Sequence, residues 1–269
     1  MKRTIFHISL AIYSFFYVVP LIWMLLSSFK DNGAIFDNPF ALPKTWNLGV
    51  FLDAWEQGGL GKYILNSAIV TSLATSISLF VASLAAFAFS RFEFFLKKQL
   101  LPLFVLGLLL PIQAYFIAQN EIFEFFGLKD HRWTLVLPYA GLAIPLATWL
   151  LKAYLDSLPK ELFEAAKMDG SSDFGMYRMI AAPLLKPGLA TVAIFTALGA
   201  WNEFLLANIY VQNDDYKTIP AGLLAFSTKY VTDYQLLFAA LTVITVPMIA
   251  VYIAFNKQVV AGLTEGSLN

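Results

Sequence analysis

Leu158-Pro159-Lys160-Glu161-Leu162-Phe163-Glu164-Ala165-Ala166-Lys167-Met168-Asp169-Gly170 lies between two long apolar runs. Pro159 suits the first turn of a helix, where a missing N–H costs nothing. Glu161 falls in that turn, where the helix dipole favours an anion. Leu158, Leu162, Ala165 and Ala166 recur at i, i+4, i+7 and i+8, one apolar stripe. Gly170 can adopt positive φ and end the helix. Ser171 or Ser172 then caps a second short helix with Asp173 in its first turn, and Pro183 and Pro187 are expected to terminate it. The segment 156–187 therefore reads as helix, tight turn, helix. Such an element is stiff and compact. Lying against a membrane face, it can take a push from a soluble partner and pass it to the helices on either side.

The rest of the chain supplies the membrane. Of 269 residues, 59% are hydrophobic and 13% charged, against about 45–50% and about 25% in soluble domains. Mean hydropathy is +0.67. So few charges cannot cover a water-soluble surface, whereas the length suffices for about six spans of ~20 residues. Net charge is zero, so no global field attracts nucleic acid or acidic substrates, and no nucleic-acid partner is expected. The chain has no cysteine, which excludes disulfides and thiolate metal sites. His7 and His131 are far apart, so no metal site is expected.

Six apolar segments stand out, at roughly 5–29, 64–89, 100–119, 133–152, 188–208 and 236–256. The first is too long for a signal-peptide core and no small-residue cleavage signal follows it, so it reads as a transmembrane helix. With the N-terminus inside, eleven Lys and Arg fall in the inner segments and seven in the outer ones. That bias puts both termini in the cytoplasm. The external loops are then about 30–63, 120–132 and 209–235, and the whole chain, 1–269, is a single transmembrane domain. In the second span Ala74, Ser78, Ala82 and Ala86 repeat every four residues. This small-residue face suits either a subunit interface or pore, or packing within the chain. Pro20, Pro102, Pro111, Pro138, Pro145 and Pro247 permit kinks.

Asn202 and Glu203 fall within the fifth span, roughly 20 Å along it at 1.5 Å per residue. An ionisable group at that depth is a functional candidate. Two readings stay open: lining of a translocation path, or an interhelical bond holding two subunits together. Gln113, Asn120 and Asn66 are weaker candidates of the same kind.

The loop resembles that of binding-protein-dependent permeases of the ATP-binding-cassette (ABC) importer type. Their pattern is Glu-Ala-Ala, three residues, Gly, nine residues, Ile, one residue, Leu-Pro. Here Glu164-Ala165-Ala166, Gly170 and Ile180 keep that spacing, and Ala182-Pro183 departs from it only at Ala182. Ser27-Ser28-Phe29-Lys30, Trp201-Asn202-Glu203-Phe204 and the tail 258–266 are similar to further family signatures. Together they point to the carbohydrate-uptake branch, near the smaller permease subunit of the maltose transporter. The resemblance implies an all-α integral membrane protein with six transmembrane helices and a cytoplasmic coupling-helix loop, the type I ABC importer permease fold. Glu164, Ala165, Ala166, Asp169 and Gly170 would then be the ATPase-coupling residues. Glu164 would face a basic partner, the alanines would pack in its groove, and Gly170 would make the turn.

The implied function is a sugar importer's permease subunit, working by alternating access in the bacterial plasma membrane. The implied partners are two copies of a cytoplasmic ATP-binding subunit, a second and different permease, an extracytoplasmic sugar-binding protein, and membrane lipid. No Walker A pattern exists: Gly61-Lys62 lacks the upstream Gly and the following Ser or Thr. No cofactor is therefore expected in this chain, and ATP and Mg belong to the partner ATPase. No nucleophile–base constellation marks an enzyme. The alternative is a secondary transporter for a small polar solute. It calls for intramembrane ionisable groups in more than one helix, and Glu203 is nearly alone. A structural or assembly protein gives no account of the loop pattern.

Overall fold

The computed structural model describes the backbone of residues 2–227 and 232–265, with every side chain among them except those of 2, 113, 250–252 and 254–265. In chain order the helices are α1 (Lys2–Ser27), α2 (Asn32–Asp37), α3 (Gly49–Gln57), α4 (Leu60–Arg91), α5 (Lys97–Leu109), α6 (Phe116–Phe125), α7 (Trp133–Asp156), α8 (Glu161–Met168), α9 (Asp173–Met176), α10 (Ala182–Leu184), α11 (Lys186–Asn202), α12 (Leu205–Tyr210), α13 (Ile219–Gly222) and α14 (Tyr234–Glu265). No strand occurs among the described residues, only an isolated bridge between Ser227 and Thr232. The fold is all-α, as the sequence indicates.

Three helices among the described residues are by themselves long and apolar enough to cross a membrane: Arg3–Ser27, Leu60–Arg91 and Trp133–Asp156. The expected span at 236–256 lies in α14. The other two expected spans are interrupted. Within 100–119, α5 stops at Leu109, Leu110 and Pro111 are extended, and a 3-10 turn at Ile112–Ala114 leads to α6. Pro111 has no N–H to continue the helix, and its ring disfavours helical geometry at Leu110. Within 188–208, α11 ends at Asn202 and α12 begins at Leu205. The expected loop at 30–63 contains α2, α3 and the start of α4.

The chain divides into two compact units, residues 1–64 with 221–254, and residues 65–220 with 255–269. In the first, α1 is exposed along its spanning window. The chain just beyond it is tied down: Lys30, only 5% exposed, donates to Pro39 O (2.9 Å) and Asn38 O (3.3 Å), and Trp23 Nε1 donates to Pro39 O (2.7 Å). The Asn32 amide accepts from Tyr234 N (2.9 Å) and donates to Thr232 O (3.0 Å). Gly222 is required by a close approach, because a Cβ there would lie 2.2 Å from the Tyr63 ring.

In the second unit the small-residue face of α4 is used inside the chain. Ala74, Ser78, Ala82 and Ala86 are fully buried. Ser78 Oγ donates to Ala74 O (2.6 Å) and to Ala140 O of α7 (3.4 Å). Ala82, Ala86 and Phe87 share one core with Ala147, Leu151 and Leu155 of α7. In lipid, where no hydrophobic force drives helices together, such close backbone contact is what holds them. The intrachain alternative accounts for this face.

The 156–187 loop lies at one end of α4 and α7. At the opposite end a polar clamp closes the unit. Asn66, fully buried, donates to Asp215 O (2.8 Å) and Lys217 O (3.0 Å) and accepts from Arg132 Nε (3.2 Å). The Arg132 guanidinium lies 5.4 Å from the Tyr216 ring centre. Asp130 Oδ1 accepts from Gln212 N (2.6 Å) and Asn213 N (2.9 Å). Asn66 is thus a structural fastener.

Candidate coupling loop and helix-break site

The loop begins as α8, with Glu161 and Glu164 in the first turn and Lys167 in the last, each charge complementing the dipole. Its N-cap is Lys160, so Pro159 precedes the helix instead of occupying its first turn. The helix closes with a Schellman arrangement: Ser171 N donates to Ala166 O (3.0 Å) and Gly170 N to Lys167 O (3.1 Å). Gly170 has φ +80° and nothing within 4 Å of a notional Cβ, so the requirement for glycine lies in the backbone alone. Ser172 Oγ accepts from Gly175 N (3.1 Å) and caps α9, with Asp173 in its first turn.

The prolines beyond do not terminate α9. The chain continues through a π-helical turn at Tyr177–Ala181, and Pro183 and Pro187 sit in the first turns of α10 and α11. Proline at a helix start loses no intrahelical bond. The direction changes between Asp173–Leu184 and Lys186–Asn202, by 73°.

The face of α8 that turns inward also differs from the expected stripe. Phe163 is 6% exposed and Ala166 packs beside it against the core, with Leu158. Leu162 remains 45% exposed and Ala165 is exposed. Phe163 offers the larger apolar area, so burying it fixes the rotation of the helix. The two alanines therefore separate, Ala165 outward and Ala166 inward. Glu164, Asp169 and Gly170 face solvent with Ala165, beside Met168 (88% exposed) and Phe174 (65% exposed).

Beneath α8 an aromatic and cationic junction forms. Arg91, the last residue of α4, sets its guanidinium 4.0 Å from the Phe163 ring centre and donates to Leu155 O in α7. Phe87 lies against Phe163 and Tyr177, at 6.2 and 5.6 Å between ring centres. The Tyr177 hydroxyl is 2.7 Å from Ser83 Oγ. Neither Arg91 nor Phe163 stands out in the sequence, because what joins them is more than seventy positions of intervening chain.

The second site is the break after α11. Glu203 is extended (φ −72°, ψ 122°) and lies just beyond the helix, not within it. Its carboxylate accepts from Leu206 N (2.9 Å) through Oε1, and from Ala207 N (3.1 Å) and the Tyr139 hydroxyl (2.6 Å) through Oε2. One anion thus caps α12 and bonds α7. Asn202 is exposed, and its Nδ2 donates to Leu198 O (2.9 Å). An open groove of about 300 Å³ runs between α5, α7 and α11, walled by Leu108, Leu142, Leu146, Val192 and Phe195, with Tyr139 and Glu203 lining it as well. Gln113 lies in the turn at Ile112–Ala114; its side chain is outside the described residues. So is the tail 258–266, apart from the backbone to Glu265. Among the described residues no cluster of three or more His, Cys, Asp or Glu side chains is placed to hold a metal ion.

The family described as "Binding-protein-dependent transport system inner membrane component" matches residues 78–265. The probable ABC transporter permease protein YurM of Bacillus subtilis is 38% identical over 264 residues, covering 97% of this chain and 88% of the relative. The trehalose/maltose transport system permease protein MalG of Thermococcus litoralis is 31% identical over 272 residues, covering 100% and 97%. A crystal structure of a bacterial ABC transporter involved in the import of the acidic polysaccharide alginate contains a chain that superposes with a TM-score of 0.81, covering 95% of both chains at 18% identity. That likeness carries the importer-permease fold. The loop geometry, the all-α architecture and these matches converge, and the chain belongs to the family of binding-protein-dependent transport system inner membrane components.

Proposed function

We propose that this chain forms half of the translocation path of an ATP-driven carbohydrate importer, and that a separate ATPase drives it through the 156–187 loop. The two-sidedness of α8 and α9 carries the reading. Phe163, Ala166 and Met176 pack into the chain's own core. Leu162, Met168 and Phe174 stand exposed around Glu164 and Asp169. Large apolar side chains ringed by charge on a short, braced element suit contact with protein. Glu164, Ala165, Asp169 and Gly170 form the contact face, and Ala166 supports it from behind.

Family membership implies an ATPase and a substrate-binding protein as partners. ATP and Mg are held by that ATPase, since this chain carries no Walker A pattern. Two ATPase copies and a second, different permease complete the proposed assembly, in which 1–269 acts as one permease domain with both termini cytoplasmic. The relative named for trehalose and maltose supports a carbohydrate cargo. Asn202, exposed beside the groove, is the better candidate for the path or the subunit interface. Glu203 has its oxygens engaged within the chain, and Gln113 joins Asn202 by its position in the α5–α6 turn.

Co-purification in mild detergent tests the reading. Tagged wild-type chain should bring down an ATPase and a second permease. Glu164→Lys alters only an exposed side chain and should release the ATPase about tenfold, equivalent to ~1.4 kcal/mol, while retaining the permease. Wild-type chain purifying without any ATPase overturns the proposal.

A further inference from the structure

We propose that Arg91 is a positioning residue that makes the end of α4 move with the coupling loop; the proposal rests on the loop being the ATPase contact. The loop is covalently continuous with α7 on one side and with α11 on the other. It has no such link to α4, which ends 70 residues before α8 begins. α4 therefore follows the loop only through contacts across space.

Phe87 and Ser83 of α4 reach the loop at Phe163 and Tyr177, and Arg91 adds a polar contact that touches both α8 and α7. Its guanidinium carbon lies over the Phe163 ring of α8, 4.0 Å from the ring centre, and its Nη2 donates to Leu155 O in the last turn of α7. Phe163 is buried at the centre of the junction, with Phe87 of α4 behind it. The neighbouring acid is engaged elsewhere: Asp156 accepts from Lys152 Nζ (2.6 Å) and Ser90 Oγ (2.6 Å). The group is thus used for its shape as well as its charge. A planar cation can stack by its face and donate from its edge at once, whereas an ammonium on a flexible stem is a compact point charge that cannot reproduce both geometries. Arginine is specified here and lysine is not an equivalent.

Motion applied to α8 then has three outlets. Two run along the backbone, through the Ser157–Lys160 turn and through the bend before α11. The third runs through Phe163 into α4 by way of Phe87 and Arg91, and the small-residue face of α4 is packed along α7. With Arg91 in place, the loop, the end of α7 and the end of α4 are displaced as one body. Without it, the loop keeps only the ring contacts of Phe87 and the Tyr177–Ser83 pair to α4, and α8 can rock against α4 on the turns at either end.

The absence of cysteine makes the test direct. Spin labels are attached at F95C, just past α4 and 93% exposed, and at E161C, exposed at the start of α8. The distance between them is measured by pulsed electron resonance in the assembled transporter in nanodiscs, without nucleotide and with a nonhydrolysable ATP analogue. With Arg91 present, one narrow distance should persist in both states. With R91K the ATPase should still co-purify at the wild-type level, and the distance should shift between the two states by about 2 Å or more, the scale of helix shifts in switching proteins. F163L should give the same split. An unchanged distance in R91K overturns the proposal, as does loss of the ATPase in R91K, which would make Arg91 a docking or folding residue. A wild-type preparation that lacks the ATPase overturns the reading of the loop, and this proposal with it.

Discussion

The turn at Gly170 and the break at Glu203 both end a helix inside one folded unit, and they satisfy the freed backbone groups by different means. At Gly170 the backbone serves itself. Two amides fold back onto Ala166 O and Lys167 O, with a positive φ at glycine as the one special requirement. At Glu203 a side chain serves the backbone. One carboxylate gathers two amides of α12 and a hydroxyl from Tyr139, 64 positions earlier. The first device is complete within a few residues and leaves its outer surface free for a partner. The second is complete only when α7 and α12 have met. It also occupies Glu203, the one charged side chain among the described residues that line the groove.

Four substitutions press on this contrast. Phe163→Ala empties the support beneath the Gly170 turn and should cost about 4 kcal/mol, the usual scale for a buried phenylalanine, read as a lowered unfolding midpoint of the purified chain. If the loop were a self-sufficient appendage the midpoint would not move. Glu203→Ala leaves two amides and a phenol without their acceptor and should cost about 3 kcal/mol. Tyr139→Phe on the Glu203→Ala background should then add far less than it does alone, which a double-mutant cycle of unfolding free energies measures. Additive effects would separate Tyr139 from the cap. Gly170→Ala meets no steric obstacle, so its cost should be only that of a left-handed alanine, roughly 1–2 kcal/mol. A larger loss would mean that the turn packs against something beyond its own backbone.

The same contrast explains what the sequence disclosed. The Gly170 turn and a serine cap at 171 or 172 are legible because each depends on residues a few positions apart. The inward face of α8 was misread because Leu158, Leu162, Ala165 and Ala166 satisfy helical spacing, while the burial of Phe163 depends on Phe87 and Arg91 of a distant helix. Pro159, Pro183 and Pro187 were recognised as helix punctuation but set on the wrong side of the boundaries, since proline precedes or opens a helix as readily as it follows one. The apolar run 188–208 continues past Glu203, so spacing alone sets it in a helix interior. In the structure its backbone is extended and three donors converge on its carboxylate, one of them from α7.

The clamp around Asn66 sets a schedule for biosynthesis. The carbonyls that receive its amide lie 149 and 151 residues further along the chain. At synthesis rates of about 5–20 residues per second they emerge roughly 8–30 s after Asn66 does. Throughout that interval the Asn66 Nδ2 donor on α4 lacks the two carbonyls that finally accept from it. A nascent chain that stalls before Asp215 therefore holds α4 with this donor unanswered at the end opposite the loop.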